Sequence, residues 1–226
     1  GEDKVAKAAK EQRRTPEEIT AHYTEIFMRD IDKLNIGHPE VIAKATDHIK
    51  EMQDCVLQLM EKGYAYEISD GIYFDIAKFD GYGKLSGAHL DEQIAGARVD
   101  VNDEKRHPAD FAIWKKADKN HIMQWESPWG MGYPGWHIEC SAMSRHYLGD
   151  TFDIHGGGED LVFPHHENEV AQSEAATGKP FARYWLHNGF VKINAEKMSK
   201  SLGNTFPIRD LVTSYHPEVL RLFMLQ

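Results

Sequence analysis

The stretch TFDIHGGGEDLVFPHHENEVAQSEAAT, residues 151–177, decides the fold because it predicts a strand, a glycine turn and a helix in succession. The strand is predicted over residues 151–158 and the helix over residues 164–177. A predicted helix over residues 138–148 precedes them, and a predicted strand over residues 184–193 follows. This alternation indicates a doubly wound α/β sheet, whose ligands are expected beyond the carboxyl ends of the strands.

Two helices are predicted near the start of the chain. Thr15 and Pro16 are typical of an N-cap and a first helical position, and apolar residues recur at helical spacing over residues 17–34. A second apolar face at the same spacing predicts a helix over residues 39–62, which Gly63 ends.

A β-hairpin is predicted after these helices. Residues 64–69 and 72–76 have the composition of strands, and Asp70-Gly71 between them is a strong turn signal. The sequence FAIWKK, residues 111–116, predicts one further strand in a loop-rich region. Together with the preceding helices, these elements indicate an inserted α+β module.

Composition bounds the class of protein. The chain has 226 residues, 41% hydrophobic content and only two cysteines, Cys55 and Cys140, which indicates a globular protein in a reducing compartment. It contains no apolar run of about 18 residues and no apolar segment near its start, so we expect a soluble, cytoplasmic protein without a membrane partner. The formal net charge of −10 argues against extensive coating by nucleic acid but allows a local basic contact.

Three residues have the chemistry of a metal site. Pro164 is expected at a first helical turn, which would place His165 and Glu169 four residues apart on one helix face, and Cys140 lies upstream. Cysteine, histidine and glutamate suit zinc, although a stable zinc site takes about four ligands. The H-E-x-x-H protease motif fails at Val170. The alternative is a surface His–Glu pair and a small core cysteine.

Two further segments suit phosphate binding. Gly156, Gly157 and Gly158 follow a strand and would allow close approach of the backbone to a ligand, although a tight strand-to-helix turn is the favoured explanation of the glycines alone. The sequence EKMSKSLGN contains Lys197 and Lys200 in a loop with small hydroxyl residues. Mobile lysines of this kind stabilise negative charge on a polyphosphate leaving group, whereas the alternative is a solvated charged loop.

The motifs resemble a known family. KMSKS at 197–201 resembles the signature loop of class I aminoacyl-tRNA synthetases, and GWHIECSAM at 135–143 with FDIHGGGEDLVFPHHENE at 152–169 resembles the cysteinyl-tRNA synthetases. The resemblance extends to AGARVDV at 95–101 and DFAIWK at 110–115. It implies an α/β fold, namely the second half of a Rossmann-like class I catalytic domain with an α+β connective insertion.

The resemblance also implies four segments and a reaction. The segments are 1–18, the end of the first Rossmann half; 19–127, the connective insertion; 128–190, the second Rossmann half with a zinc site; and 191–226, the KMSKS loop and the start of the stem-contact region. The implied reaction is activation of cysteine by ATP, with Mg²⁺, to cysteinyl-adenylate, and transfer to the tRNA for cysteine. A monomer is expected.

The site residues follow from the same resemblance. They are Lys197 and Lys200 as catalytic lysines on the ATP phosphates; His155, Gly156, Gly157, Gly158 and Asp160 at the nucleotide; Trp136 and His137 beside the amino acid; and Cys140, His165 and Glu169 as zinc ligands. Zinc would act as a specificity device, because pocket shape separates small side chains by only about 1–3 kcal/mol whereas zinc prefers a thiolate to a hydroxyl. No protein base is needed, since a carboxylate is already a nucleophile.

The sequence departs from the family pattern in two places. The first half with its HIGH motif and further cysteine ligand, and the carboxy-terminal anticodon region, have no counterpart in the chain. NIGH at 35–38 mimics HIGH but is interpreted as a turn leading into the second helix, and Cys55 as a core residue. We therefore expect a fragment that is inactive alone. The alternatives are a cysteine ligase of mycothiol synthesis and a non-catalytic zinc-binding module.

Overall fold

The computed structural model describes residues 4–87, 102–119, 121–194, 196–199 and 202–225. The chain divides into two compact units: the first unit comprises residues 1–42 and 190–226, and the second unit comprises residues 43–189. The four segments drawn from the motifs remain predictions. Lys200 and the AGARVDV segment lie outside the described residues.

Helices and strands are numbered here in chain order. They are α1 (Lys4–Gln12), α2 (Pro16–Lys33), α3 (Ile49–Glu61), β1 (Ala65–Ile68), β2 (Gly71–Phe74), β3 (Phe111–Lys116), β4 (Gly132–Pro134), α4 (Trp136–Leu148), β5 (Phe152–Gly158), α5 (Glu167–Thr177), β6 (Ala182–Asn188), β7 (Lys192–Ile193), β8 (Glu196–Lys197), α6 (Ile208–Leu211) and α7 (Pro217–Met224). None of the described helices is both long and apolar enough to cross a membrane.

Helix α2 of the first unit begins where the sequence predicts. Thr15 is its N-cap: its hydroxyl accepts from the Glu18 backbone N–H at 3.2 Å, and the Glu18 carboxylate accepts from the Thr15 N–H at 2.9 Å. This capping box satisfies two backbone donors that have no partner within the helix. By contrast, the hydroxyl of Thr20 one turn later only donates back to helical carbonyls.

The second unit contains an antiparallel sheet in the order β1-β2-β3-β4. The predicted hairpin is present, but Ile68 pairs with Gly71, so its turn residues are Ser69 and Asp70 rather than Asp70 and Gly71. A Cβ atom on Gly71 would lie 2.3 Å from the carbonyl oxygen of Trp114. Gly71 is therefore needed for the close approach of β3, and the predicted turn position was wrong by one residue.

The Asp70 carboxylate connects that turn to β3. It accepts hydrogen bonds from the Tyr73 hydroxyl at 3.1 Å and from the Lys115 ammonium group. Partial burial alone would raise the pKa of Asp70, but the hydrogen bond and charge of Lys115 hold that pKa below its ordinary value. Strand β3 itself covers the predicted FAIWKK segment, which confirms that prediction.

Helix α3 begins later than predicted. It starts at Ile49 rather than Pro39, and Val41 and Ile42 are about half exposed. The buried face of the helix comprises Met52, Cys55, Val56 and Leu59, which pack into the main apolar cluster of the second unit. Tertiary burial therefore sets where the helix begins more strongly than apolar spacing does. The interpretation of NIGH as a turn that starts this helix was therefore wrong.

The parallel strands β5 and β6 position the candidate site. They pair from Phe152–Ala182 to Gly158–Asn188, so both carboxyl ends lie at the same edge. The predicted strand over residues 151–158 is thus confirmed. The predicted strand over residues 184–193 is two strands, because β6 ends at Asn188 and β7 forms a separate hairpin with β8.

Helix α5 starts at Glu167 rather than at the predicted Pro164, because the residues just before Glu167 form a π-type turn that leads into the helix. The residue before a proline disfavours the helical conformation, which explains why Phe163, immediately before this turn, has extended backbone angles. Most of α5 is buried although much of its sequence is polar. The buried Glu167 carboxylate accepts from the backbone N–H groups of residues 83, 85 and 86 at 2.8–3.1 Å. These bonds fix the loop that follows the hairpin.

Three other polar side chains of α5 also have partners from distant parts of the chain. Asn168 accepts from the Tyr82 hydroxyl, Gln172 donates to the Ser141 hydroxyl, and Glu174 accepts from the Lys84 ammonium group and from the Phe181 backbone N–H. Each hydrogen bond offsets the cost of burying a polar group.

Candidate metal and substrate site

Cys140, His165 and Glu169 converge at one point in the second unit. Cys140 lies on α4, His165 immediately before α5, and Glu169 in the first turns of α5. One ligand atom of each lies within 4.8 Å of the others. Ligands at tetrahedral zinc are separated by about 3.3–3.8 Å, so a small rearrangement of these side chains would bring all three into contact with one ion. The structure thus brings together the three residues predicted as metal ligands.

The Glu169 carboxylate lies between two imidazoles. Oε1 is 2.6 Å from His165 Nε2, and Oε2 is 2.9 Å from His155 Nε2, yet neither contact has hydrogen-bond geometry. Both oxygens are buried. Burial would raise the pKa of Glu169, but the two histidines hold it below its ordinary value.

A buried carboxylate requires a compensating charge, which protonated imidazoles or a bound cation can supply. An imidazole nitrogen and a cysteine sulfur face the same point, and this N, S and O donor set is the one that zinc prefers. The arrangement of these side chains therefore fits a zinc ion better than it fits a surface His–Glu pair, which would be hydrated.

His137 orients His165 from the other side of the ring. The two Nδ1 atoms are 2.8 Å apart, so one ring must donate and the other must accept. Burial and the neighbouring His165 lower the pKa of His137 to about 4, so the neutral ring has one nitrogen that can accept. When His165 donates its Nδ1–H to His137, its Nε2 lone pair is directed toward Glu169. This is the tautomer that a metal ligand needs.

Trp136 covers one face of the same imidazole. Its ring stacks on His165 with a centroid separation of 4.3 Å, while 58% of the residue remains exposed. An exposed aromatic face beside a buried polar cluster can contact a small substrate. The structure therefore brings Trp136 and His137, both predicted beside the amino acid, next to the candidate metal ligands.

The two cysteines differ in their surroundings. Burial and the nearby Glu169 and Glu139 carboxylates raise the pKa of Cys140 to about 12, so its thiol is protonated unless a cation binds. Burial raises the pKa of Cys55 to about 11, and Cys55 belongs to the apolar core of the second unit. The prediction that Cys55 is a core residue is confirmed.

His155 and His166 form a second set with Glu169, which the sequence reasoning missed. Their ligand atoms and a Glu169 oxygen also lie within 4.8 Å of one another. His166 Nδ1 is in addition 2.7 Å from His187 Nε2. The sequence predicted His155 only as a nucleotide-binding residue. The available signal was the concentration of three histidines within residues 155–166.

The glycines of β5 accommodate this histidine cluster. A Cβ atom on Gly157 would lie 2.8 Å from His166 Cε1 and 3.0 Å from Leu161 Cδ1, and one on Gly158 would lie 2.6 Å from Asp160 Oδ1. At Gly156 the nearest atom would be 3.4 Å away. The chain's own side chains thus account for the missing Cβ atoms at Gly157 and Gly158.

The described part of the KMSKS segment belongs to the first unit. Lys197 lies on β8, and its ammonium group is 3.4 Å from the ring centroid of Phe190. The Asn204 side chain accepts from the Ser199 N–H at 2.8 Å and donates to the Lys197 carbonyl at 3.3 Å. Asn204 therefore closes this loop.

Comparison with known proteins identifies relatives across the whole chain. Cysteine–tRNA ligases are 57% identical in Thermodesulfovibrio yellowstonii, 54% in Thermococcus onnurineus and 56% in Carboxydothermus hydrogenoformans, over 99%, 100% and 99% of this chain. The alignments cover 47%, 47% and 48% of those proteins. The chain thus spans about half the length of the curated relatives it matches.

A structural comparison agrees with the fold. Methionyl-tRNA synthetase of Mycobacterium tuberculosis, solved in complex with methionyl-adenylate, superposes with a TM-score of 0.65 at 17% identity, covering 98% of this chain and 54% of that protein. The likeness confirms the Rossmann-like α/β class. The family model of the class I (C) tRNA synthetase catalytic domain matches residues 2–226. The chain belongs to the class I (C) tRNA synthetase catalytic-domain family.

Proposed function

We propose that this chain carries the amino-acid site of a cysteine–tRNA ligase, which activates cysteine with ATP and Mg²⁺ and transfers it to the tRNA for cysteine. The observation that carries the proposal is the convergence of Cys140, His165 and Glu169 on one buried point. Family membership supplies the reaction class, and this donor set supplies a reason for selecting a thiol substrate.

Cys140, His165 and Glu169 would hold a zinc ion. Zinc bound there supplies a coordination position that a substrate thiolate fills far better than a hydroxyl does. Glu169 contributes a negative charge that is already buried, and His137 keeps His165 in the tautomer with a free Nε2. Trp136 presents an exposed ring at the edge of this cluster, where it would confine the amino acid.

The remaining predicted roles concern ATP. We propose that the nucleotide site is lined by the backbone at Gly156 together with His155 and Asp160. It would lie at the carboxyl end of β5, where open α/β sheets bind ligands. Gly157 and Gly158 would contribute through their backbone in the same segment. Lys197 and Lys200 would stabilise the phosphates as charge develops on the leaving pyrophosphate.

Amino-acid specificity tests the metal role. We would express the protein from its complete gene and measure cysteine- and serine-dependent exchange of pyrophosphate into ATP, together with bound zinc. The chain has only two cysteines, so Cys55→Ala is a matched control for Cys140→Ala. We expect Cys140→Ala to lose one equivalent of zinc and to lower the preference for cysteine to the roughly 10- to 200-fold that shape alone provides. Cys55→Ala should keep both zinc and selectivity.

Two outcomes would contradict the proposal. Unchanged zinc content and selectivity in Cys140→Ala would exclude the metal role. Absence of cysteine-dependent exchange in the unmodified protein would exclude cysteine activation altogether. The acceptor is tested separately: aminoacylation of tRNA supports the ligase, whereas transfer to an amino sugar without tRNA would exclude the transfer step proposed here.

A further inference from the structure

A second group of metal-binding side chains lies where the start of α3 meets the end of α4. His48 immediately precedes α3, Glu51 is in its first turn, and His146 is in the last turn of α4. One ligand atom of each lies within 4.8 Å of the others. All three belong to the second unit, and none is part of the Cys140 cluster.

Both imidazoles approach the same carboxylate oxygen. Glu51 Oε1 is 3.4 Å from His48 Nδ1 and 3.3 Å from His146 Nδ1. The His48 contact is a hydrogen bond near the upper limit of length, and both contacts exceed the roughly 2.7–2.9 Å of a strong charge-assisted bond. Ligands that are each about 2.0–2.1 Å from a tetrahedral ion are separated by about 3.3–3.4 Å. The observed spacing therefore matches ligands around an ion more closely than it matches two hydrogen bonds.

Tyr147 contacts the ring nitrogen of His48 that faces away from Glu51. The Tyr147 hydroxyl is 2.9 Å from His48 Nε2, on the side of the ring away from Glu51. When His48 donates its Nε2–H to this hydroxyl, Nδ1 keeps a lone pair that faces the carboxylate. Metal-binding histidines are commonly oriented by a hydrogen bond from the other ring nitrogen in this way.

The group also opens onto a cavity. His48 is buried, whereas about a third of the Glu51 side chain and somewhat more of His146 are exposed. The adjoining cavity has a volume of about 390 Å³ and is lined by Glu51, Asp54, Cys55, Gln58, Ala142, Arg145 and His146. Arg145 is paired with Asp150 at 2.9 Å, so its charge is directed to another carboxylate.

We propose that His48, Glu51 and His146 bind a divalent transition-metal ion such as Zn²⁺ or Co²⁺, with the cavity supplying space for water or another ligand. Two imidazoles and one carboxylate favour such ions over Mg²⁺ or Ca²⁺, which prefer oxygen ligands. The bound ion would connect the start of α3 to the end of α4. This site does not depend on the proposed function.

Cobalt titration can count both sites in the protein expressed from its complete gene. Co²⁺ at Cys140 produces a thiolate charge-transfer band, whereas Co²⁺ at the His48 group produces only d–d bands. We expect two equivalents in the unmodified protein and loss of the second in His146→Ala, with at least about 100-fold weaker binding. Circular dichroism would verify that the variant is folded. Glu51→Gln, a second variant of nearly the same shape, should have the same effect.

His38→Ala is the matched control. His38 Nε2 also contacts one carboxylate, that of Asp32, at 2.7 Å, but it is exposed and belongs to no three-residue metal-binding group among the described residues. This variant should keep both equivalents. Three results would overturn the proposal. The first is that the unmodified protein binds no equivalent of Co²⁺ with d–d bands alone. The others are that this equivalent persists in folded His146→Ala and in Glu51→Gln, or that it is lost equally in His38→Ala.

Discussion

Replacing Gly157 by alanine should destabilise the second unit, whereas the same replacement at neighbouring Gly156 should not. At Gly157 the new methyl group would lie 2.8 Å from the buried His166 ring, which must then shift by a few tenths of an ångström. Forcing an extra methyl group into a well-packed site costs about 1–3 kcal/mol. At Gly156 the nearest atom is 3.4 Å away, an ordinary contact.

The backbone contribution is the same at both positions. Neither glycine has a positive φ, so alanine stabilises each by about 0.4–1 kcal/mol through the unfolded state. We therefore expect Gly156→Ala to be neutral or slightly stabilising, and Gly157→Ala to lower the free energy of unfolding by about 1–2 kcal/mol.

Urea unfolding followed by tryptophan fluorescence measures this difference. All five tryptophans lie within residues 43–189, so the signal reports on the second unit. In a double-mutant cycle, His166→Ala should reduce the cost of Gly157→Ala, because it removes the closest clash. If the two glycine variants were equally stable, the argument that His166 excludes a side chain at Gly157 would be wrong.

Three further changes test other contacts. Glu167→Ala should lower the free energy of unfolding by about 3–5 kcal/mol, a size typical of removing one partner from a buried network. It should also accelerate hydrogen exchange over residues 83–86, and normal protection there would refute the role of Glu167 in fixing this loop. Thr15→Ala should destabilise α2 by about 1 kcal/mol and accelerate its hydrogen exchange, unlike Thr20→Ala, because only Thr15 caps the helix. Asp70→Asn should cost about 0.2–1 kcal/mol at pH 7. The folded-state pKa of Asp70 is depressed, so this cost should disappear as the pH falls below the ordinary value of 3.8; a cost that is independent of pH would contradict the ion pair.

The sequence predicts elements well where the signal is local. Helix α2 is predicted by the capping residues at its start, and strand β3 by its own β-branched and aromatic residues. In both cases the signal lies within a few residues. The predicted start of α3 was wrong because apolar spacing continues through Val41 and Ile42, which remain about half exposed. Gly71 was misplaced because a glycine needed for strand approach has the same local appearance as one needed for a turn.

The candidate site divides in a similar way. His165 and Glu169 are four residues apart, so their proximity follows from helix geometry even though α5 starts late. The approach of His155 to Glu169 depends instead on how β5 packs against α5. No sequence spacing predicts that contact. Because of it, the Glu169 carboxylate belongs to two sets of potential metal ligands. The group of His48, Glu51 and His146 could not be predicted from the sequence either, because His48 and His146 are far apart in sequence and meet only in the folded unit.

The buried polar side chains of α5 limit how this helix can be transferred to another protein. Glu167, Asn168, Gln172 and Glu174 obtain their partners from regions that are distant in sequence from the helix or follow it. An isolated α5 peptide would expose these groups to water and could dock only through the small apolar surface of Val170, Ala171, Ala175 and Ala176. The helix therefore cannot be grafted into another protein as an independent binding segment. A transplanted site would need the loop near residue 83 and the α4 surface as well, since those elements carry the complementary half of its hydrogen bonds.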